Sequence, residues 1–453
     1  MLSWSRPELP VLPTRGLRPQ LRDTATGALT DPVQDGTARL YVCGITPYDS
    51  THLGHAFTYV AFDTLYRAWR DAGLDVTYVQ NVTDIDDPLL ERAAETGVDW
   101  RDLAEDQVDL FRGDMRALRV VPPEHFVGVV ESMELVVAAV AKLLEAGAAY
   151  WVDQDIYADL GADPRFGTIS HLDEQEMREL FPERGGDPDR AGKRDPLDPL
   201  LWRGRREGEP AWDGGALGPG RPGWHIECGA IAAHYLGLPV SVEGGGQDLI
   251  FPHHDMGTSH LRFLAGGPGP AREETNNVQA MADEPIRCYL HTGLVAYQGE
   301  KMSKSLGNLV FVSTLLDEGV DARAIRLVLL NHHYRQEWEY TESELRTAQQ
   351  RLQRWQAAAQ HAGSSQGSAA TAPEAASHTP GADSAVSDPA GSPTPGADEA
   401  REEETIRRMR QALAADLDTV TCLQVVDDAA ARGPLGDAVV TAIDALLGID
   451  LRS

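Results

Sequence analysis

The chain has 453 residues, enough for more than one buried core, and with 42% apolar and 24% charged residues its composition is that of an ordinary soluble protein. No stretch approaches the roughly 18 uninterrupted apolar residues of a membrane span, and residues Met1 to Arg15 lack the apolar core of a secretory signal, so the expected compartment is cytoplasmic. Forty Lys and Arg against 70 Asp and Glu leave a net charge of −30, which argues against a large nucleic-acid footprint, and the four scattered cysteines argue against a disulfide scaffold or a local zinc finger.

Ala38 to Val42 is a short β-type run that leads directly into Cys43-Gly44-Ile45-Thr46-Pro47. Apolar residues at Leu53, Ala56, Phe57, Val60, Leu65 and Trp69 then keep the 3.6-residue period of a helix, with Gly73 as its stop. Val76 to Val82 is a second strand. This order predicts a right-handed βαβ unit on a parallel sheet, with ligands at the carboxyl ends of the strands, where Cys43 and Asn81 lie. Further helices are predicted at Asp102 to Leu118 and Val127 to Leu144, the second ended by Gly147.

Residues 151–220, rich in Gly, Pro and charge, read as an inserted subdomain with long loops. Regular patterning resumes at Trp224: a helix from His225 to Leu236, a β-type run Val240 to Val242, a loop Gly244-Gly245-Gly246, and a helix after Pro252. Gly266 to Glu284 reads as a surface loop. Helices of mixed charge run from Ser313 to about Ala358. From about His361 to Ala400 the chain is dominated by Ala, Ser, Gly, Pro and Thr without Lys or Arg, which predicts a disordered linker. Residues 401–453 have amphipathic helical patterning but 6 Lys and Arg against 10 Asp and Glu, a poor surface for an anticodon. The chain thus divides into two halves of a nucleotide-binding domain (1–130 and 221–312) around an insert (131–220), then a helical region (313–360), a linker (361–400) and a C-terminal helical segment (401–453).

Thr51-His52-Leu53-Gly54-His55 opens the first helix, where free backbone N–H groups and the positive end of the macrodipole favour phosphate. The two imidazoles would add donors, and Gly54 would admit a nucleotide close to the backbone. Alone, such histidines read equally well as caps or surface groups. Lys301-Met302-Ser303-Lys304-Ser305 is a polar loop with two ammonium groups that alone could be a solvated turn.

Together, in this order, the two segments resemble the paired HIGH and KMSKS signatures of class I aminoacyl-tRNA synthetases. The resemblance implies an α/β fold, a class I synthetase-like Rossmann nucleotide-binding domain with an inserted subdomain and a C-terminal helical region. It also implies catalytic roles for His52, His55, Lys301 and Lys304, the lysines closing on the ATP phosphates as a carboxylate attacks the α-phosphorus. More narrowly, YVCGITPYDSTHLGH, YVQNVTDIDD, GRPGWHIECGAIA, GGGQDLIFPHH and KMSKSLGN, within residues 41–308, are similar to the cysteine-specific branch of that class. The branch comprises cysteinyl-tRNA synthetases and the cysteine ligases of mycothiol biosynthesis.

That similarity implies one zinc ion held by Cys43, Cys228 and His253, with a vacant position for the substrate thiolate. It implies ATP as substrate, accompanied by Mg2+, and adenylate contacts at Cys43, Gly44, Ile45, Thr46, Thr58, Asn81, Val82, Thr83, Trp224, Gly246, Gln247, Asp248 and Val295. Gln247 departs from the branch's usual serine. Without the family, lone Cys and His residues read as buried core groups, and Trp224 as a core aromatic.

Three departures separate the two members. Gly257 stands where the synthetases place a fourth, glutamate ligand; Glu183 to Pro188 (ERGGDP) and Ser3 to Pro13 resemble elements of the ligases; and the C-terminal segment is short and acidic. They favour a ligase that activates L-cysteine as cysteinyl-AMP and transfers it to the amine of glucosaminyl-inositol, with no tRNA and no membrane, a monomer being the working expectation. A cysteinyl-tRNA synthetase and a non-catalytic cysteine or zinc sensor are the alternatives. Cys288 and Cys422 read as buried structural thiols, while Asp84, Asp86 and Asp87 read as cap and loop carboxylates before magnesium ligands. His254 is open between packing, nucleotide contact and support for the metal, and His291, His332 and His333 are open in the same way.

Overall fold

The computed structural model describes residues 1–48, 51–266, 284–302, 306–364 and 396–453. In chain order the first half of the nucleotide fold is β1 (Thr37–Val42), α1 (Leu53–Asp71), β2 (Asp75–Val82), α2 (Asp87–Thr96), α3 (Trp100–Ala117), β3 (His125–Gly128) and α4 (Met133–Glu145). The insert follows with β4 (Ala149–Val152), β5 (Asp155–Ala158), α5 (Glu174–Glu183), β6 (Leu200–Gly204) and β7 (Gly220–Pro222). The second half is α6 (Trp224–Leu236), β8 (Val242–Gly246), α7 (Asp255–Leu264) and β9 (Tyr289–Thr292). Then come β10 (Val295–Tyr297), β11 (Glu300–Lys301), α8 (Val312–Asp317), α9 (Ala322–Leu330), β12 (Trp338–Glu339), α10 (Glu342–Ser364), α11 (Ala397–Ala414), α12 (Thr419–Arg432) and α13 (Asp437–Leu447).

The central sheet is parallel throughout, in the order β9-β8-β1-β2-β3. The chain builds outwards from β1 in one direction and then, after the insert, in the other. The strand order therefore reverses between β1 and β8, the position at which open α/β sheets bind ligands. The predicted βαβ unit is present, with α1 ending two residues beyond the predicted Trp69. The result is an α/β nucleotide-binding architecture with an inserted antiparallel sheet and a helical C-terminal region, as the resemblance implied.

Four expectations need correction. Val127 and Gly128 belong to β3, and the helix predicted from Val127 begins only at Met133, because an apolar run such as Phe126–Val130 suits either element. Gly244 to Gly246 form the end of β8 and not a loop. The insert has the expected long loops, but they surround a four-stranded antiparallel sheet, β4-β5-β6-β7, absent from the expectation. α10 continues to Ser364 and α11 starts at Ala397, so both ends of the predicted linker are helical; residues 365–395 lie outside the described residues, as does most of the predicted 266–284 loop.

The C-terminal helices dock on the catalytic body through buried charge. Asp63 on α1 accepts from Arg67 Nε at 2.7 Å, from Arg326 of α9 and from the Val121 amide at 2.8 Å, and all three side chains are fully buried. The guanidiniums spend their remaining donors on carbonyls: Arg326 on Leu118 and Leu447, Arg67 on Arg119 and Asp444. One carbonyl of α13 is thereby held against α1 and another against α9. Such a cluster is tolerated in the interior because nearly every donor is satisfied.

Candidate active site

A cleft of about 390 Å³ opens at the carboxyl ends of β1 and β8. Its lining includes Cys43, Gly44, Ile45, Thr46, His52, His55, Thr58, Trp224, Gly246, Asp248, Val295 and Lys301, which are twelve of the residues expected from the sequence. Asn81, Val82 and Thr83 stand behind this surface and brace it. Asn81 Oδ1 accepts from the Gly44 amide at 2.8 Å, Asn81 Nδ2 donates to Thr83 Oγ1 at 3.2 Å, and the Thr83 amide donates to the Ile45 carbonyl at 3.0 Å. The Gln247 side chain turns outwards to Glu337. Lys304 lies outside the described residues.

The start of α1 explains the HxGH pattern. His52 is the N-cap, its Nδ1 accepting from the Gly54 amide at 3.0 Å, and its ring stacks on His55 with centroids 3.8 Å apart. Burial, with His55 and Lys301 nearby, holds His52 well below the usual imidazole range. A neutral ring with Nδ1 accepting carries its proton on Nε2, so towards a ligand His52 can only donate. A Cβ at Gly54 would lie 2.8 Å from the His52 ring, so the glycine is required for this fold-back. Capping and ligand contact are therefore compatible roles of one residue.

This segment is also tied to the chain beyond KMSKS. The Leu53 amide donates to the Val310 carbonyl at 2.9 Å and the Val312 amide to the Thr51 carbonyl at 3.1 Å. β11, which carries Lys301, pairs antiparallel with β10, and Lys301 Nζ stands 3.5 Å from Asp248 Oδ2 with both side chains about half exposed. A half-exposed, distant pair can exchange partners at little cost.

At the inner end of the cleft four elements bring thiols and imidazoles together. Cys43 follows β1, Cys228 lies on α6, His253 and His254 precede α7, and His291 lies on β9. Cys43 Sγ and Cys228 Sγ are 3.9 Å apart, Cys228 Sγ is 3.2 Å from His253 Nε2, and Cys43 Sγ is 3.3 Å from His254 Nε2. Ligand atoms of Cys43, His253 and His254 lie within 4.8 Å of one another, all buried, and no carboxylate joins this group among the described residues. Two thiolates on a tetrahedral zinc, each about 2.3 Å from the metal, would be roughly 3.8 Å apart. The donor set and spacing fit such an ion.

The protonation states favour the same chemistry. The Cys43 thiol, donating to Cys228, pulls Cys228 well below the usual thiol range, with His253 adding to the effect; that hydrogen bond and burial push Cys43 up. Burial keeps His225 and His254 well below the usual imidazole range and pushes His291 down to about 3, so these rings are neutral at physiological pH. His254, left open by the sequence, faces Cys43 with Nε2 while its Nδ1 meets His291 Nε2 at 2.7 Å, and His291 Nδ1 meets Thr24 Oγ1 at 2.8 Å. Trp224 lies against the His253 ring with centroids 4.5 Å apart, while also lining the cleft. Gly257, one turn beyond His253, offers no ligand.

The other titratable residues follow the plainer expectation. Asp86 caps α2, and Asp84 accepts from the Val130 amide; burial pushes both up to about 6. Asp87 pairs with Arg203 and Arg221. Cys288 and Cys422 are buried away from the cluster. Tyr48, Leu249 and Met302, within the quoted motif segments, also line the cleft, as do Tyr59, Thr292, Gly293, Leu294 and Leu309, which no local pattern announced. Of these, Thr292 meets Thr58 hydroxyl to hydroxyl at 2.7 Å.

Residues 29–350 match the family described as the tRNA synthetases class I (C) catalytic domain. Relatives named L-cysteine:1D-myo-inositol 2-amino-2-deoxy-alpha-D-glucopyranoside ligase match over greater length. The one from Xylanimonas cellulosilytica is 53% identical over 455 residues, with 100% of both chains covered. That from Beutenbergia cavernae is 54% identical over 471 residues, again covering 100% of both. That from Kineococcus radiotolerans is 59% identical over 367 residues, or 79% of this chain and 84% of the relative. Among solved structures, Mycobacterium tuberculosis methionyl-tRNA synthetase with methionyl-adenylate superposes with a TM-score of 0.59 at 16% identity, covering 91% of this chain and 88% of that one. A leucyl-tRNA synthetase from Agrobacterium radiobacter gives 0.57 at 12% identity, covering 92% and 85%. The last two likenesses bear on the fold alone.

Proposed function

The chain belongs to the family of L-cysteine:1D-myo-inositol 2-amino-2-deoxy-alpha-D-glucopyranoside ligases, within the class I (C) synthetase catalytic domain, and from that premise we propose a two-step reaction at the described cleft. The carboxylate of L-cysteine attacks the α-phosphorus of ATP, forming cysteinyl-AMP and releasing pyrophosphate. The amine of glucosaminyl-inositol then attacks the acyl carbon; AMP leaves, one proton is lost from nitrogen, and an amide remains. The observation that carries the reading is the meeting, in one cleft, of a thiol-imidazole cluster and an HxGH helix start at the switch point of the sheet.

Cys43, Cys228 and His253 are the residues that would hold zinc, with His254 beside them. Bound there, zinc would supply affinity for the substrate thiolate over a serine hydroxyl. The chain's own residues do the rest. The α1 N-terminus and His52 Nε2–H face the phosphates as donors, where a proton stays on nitrogen. Lys301, released from Asp248, and Lys304 neutralise the charge that develops at the α-phosphorus, Mg2+ accompanying the nucleotide. Gly44, Ile45, Thr46, Thr58, Trp224, Gly246, Asp248 and Val295 bound the adenylate.

A small acceptor suits this molecule better than tRNA. The segment 401–453 is acidic, and its last helix is held by buried guanidiniums of α1 and α9. No described helix is long and apolar enough to cross a membrane. The test is AMP release from zinc-loaded protein given ATP and cysteine, with glucosaminyl-inositol or total tRNA added. Stimulation by the amino sugar alone is expected; stimulation by tRNA with acid-stable charging would overturn the choice of acceptor.

A further inference from the structure

The ERGGDP element, which the chemistry above leaves unused, is built as a rigid prop. After α5 the chain turns over Phe181, whose carbonyl accepts from the Arg184 amide at 3.2 Å and the Gly186 amide at 2.9 Å. Gly185 has φ of +88°, and a Cβ at Gly186 would lie 2.5 Å from the Phe181 ring, so both glycines are needed for the turn. Asp187 accepts from Tyr157 Oη at 2.5 Å and from Lys193 Nζ at 3.0 Å. Lys193 is almost wholly buried, donates also to the Asp187 and Pro196 carbonyls at 3.2 and 2.7 Å, and lies over the Tyr157 and Phe181 rings. This knot of satisfied groups belongs entirely to the insert.

Out of the knot reaches Arg184. Its Nη1 donates to the Asp248 carbonyl at 3.0 Å and also to the Phe251 carbonyl. Those two carbonyls lie on the turn between β8 and α7. At one end of the turn Asp248 borders the cleft; immediately after Phe251 and Pro252 stand His253 and His254 in the thiol-imidazole cluster. No side-chain contact from within the turn spans the same pair of carbonyls. The charge-assisted grip of a guanidinium is stronger than that of a neutral donor, and its planar fork holds a direction.

We propose that Arg184 is a positioning residue of the ligase reaction, fixing the separation between the nucleotide anchor at Asp248 and the metal anchor at His253. It rests on the function proposed above. In the first step two substrates must meet, cysteine with its thiol at the metal end of the turn and ATP with its phosphates at the rim. The turn between the anchors sets where the cysteine carboxylate meets the α-phosphorus, so slack in it misplaces both ends together.

The test compares Arg184→Ala and Arg184→Lys with the wild-type full chain in cysteine-dependent ATP–pyrophosphate exchange, and records the visible spectrum of each protein loaded with Co2+. The alanine variant should lower kcat at least about tenfold as the carboxylate and the α-phosphorus lose their register, raise the KM for ATP about tenfold and that for cysteine about threefold, and shift the cobalt bands. Lysine keeps the charge and can still donate to both carbonyls from one nitrogen, but is one bond shorter, and should fall between. A merely structural role lowers the active fraction, cutting kcat with both KM values and the cobalt spectrum unchanged, and that result would overturn the proposal. Should Arg184→Ala fail to fold, the intermediate shift in Arg184→Lys decides. If wild-type protein catalyses no exchange, the functional reading falls, while the cobalt spectra still judge whether Arg184 positions the metal end.

Discussion

Replacing Gly44 with alanine should disable the cleft while leaving the chain folded. A Cβ at this position would stand 1.6 Å from the Asn81 carbonyl oxygen and 2.6 Å from its carbon, both backbone atoms of the neighbouring strand. An ordinary carbon–oxygen contact is about 3.3 Å, so the ends of β1 and β2 must part by roughly 1.7 Å. The braces that would yield are the Gly44–Asn81 and Thr83–Ile45 hydrogen bonds of 2.8 and 3.0 Å. Overpacking typically costs about 1–3 kcal/mol and a lost hydrogen bond about 1 kcal/mol, which a domain of this size survives. Misplacing a substrate anchor by about 1 Å can cost about 10²-fold, so kcat/KM in cysteine-dependent pyrophosphate exchange should fall at least that far. Gly113→Ala on α3 is the control: no heavy atom lies within 4 Å of its Cβ position, and helix propensity predicts a gain of up to about 1 kcal/mol with activity unchanged. Gly44→Ala within threefold of wild type would refute the reasoning.

Cys228→Ser should lose zinc and cysteine-dependent turnover while retaining its circular dichroism; full activity at undetectable metal content would count against the ligand assignment. Lys304→Ala should lower adenylate formation far more than cysteine binding by calorimetry, and equal losses in both would remove the loop from the phosphate chemistry. Asp63→Asn leaves two buried guanidiniums without their carboxylate, and urea unfolding should register a loss of about 3–5 kcal/mol. Asp63 also has a pH signature: burial pushes its pKa up, but Arg67 and Arg326 outweigh that and hold it below the ordinary 3.8. Its contribution is therefore fully present above 3.8 and is lost as pH falls through the lower folded value. In Asp63→Asn this acid-induced loss should be smaller; an unchanged acid limb would contradict it.

The parts legible in the sequence are those where a local pattern has one physical meaning. The periodic apolar face from Leu53 to Trp69 could only be a helix packed on a sheet, and His52 at its start is indeed the cap. Gly244 to Gly246 misled because glycine usually marks a loop; here Gly244 lies under α1, where a Cβ would sit 2.1 Å from the Phe62 ring, so strand and glycine coexist through close packing. The strands of the insert are short and separated by Gly- and Pro-rich loops, so their period-2 signal never accumulates. Arg67 and Arg326 carry no local sign of burial, yet both are fully buried, because the partners of Arg326 and the carbonyls that accept from Arg67 come from segments far away in the chain. For the same reason His254 was undecided: what faces it are Cys43 and His291, 211 and 37 residues distant.

The strand order carries a consequence for how the protein is made. On the ribosome, β1, β2 and β3 emerge first, and β1 then waits as an open edge bearing the Cys43 thiol until β8 arrives some 200 residues later, roughly 10–40 s at ordinary elongation rates. During that interval the antiparallel sheet of the insert can form from contiguous chain without help from either half. Cys43 meanwhile is without its cluster partners for nearly all of that time, since Cys228 is made only shortly before β8, and His253 and His254 just after it. When β8 does emerge it covers the exposed edge, and the segment that follows delivers both histidines, so protection of the nascent edge and assembly of the metal-binding cluster are the same event.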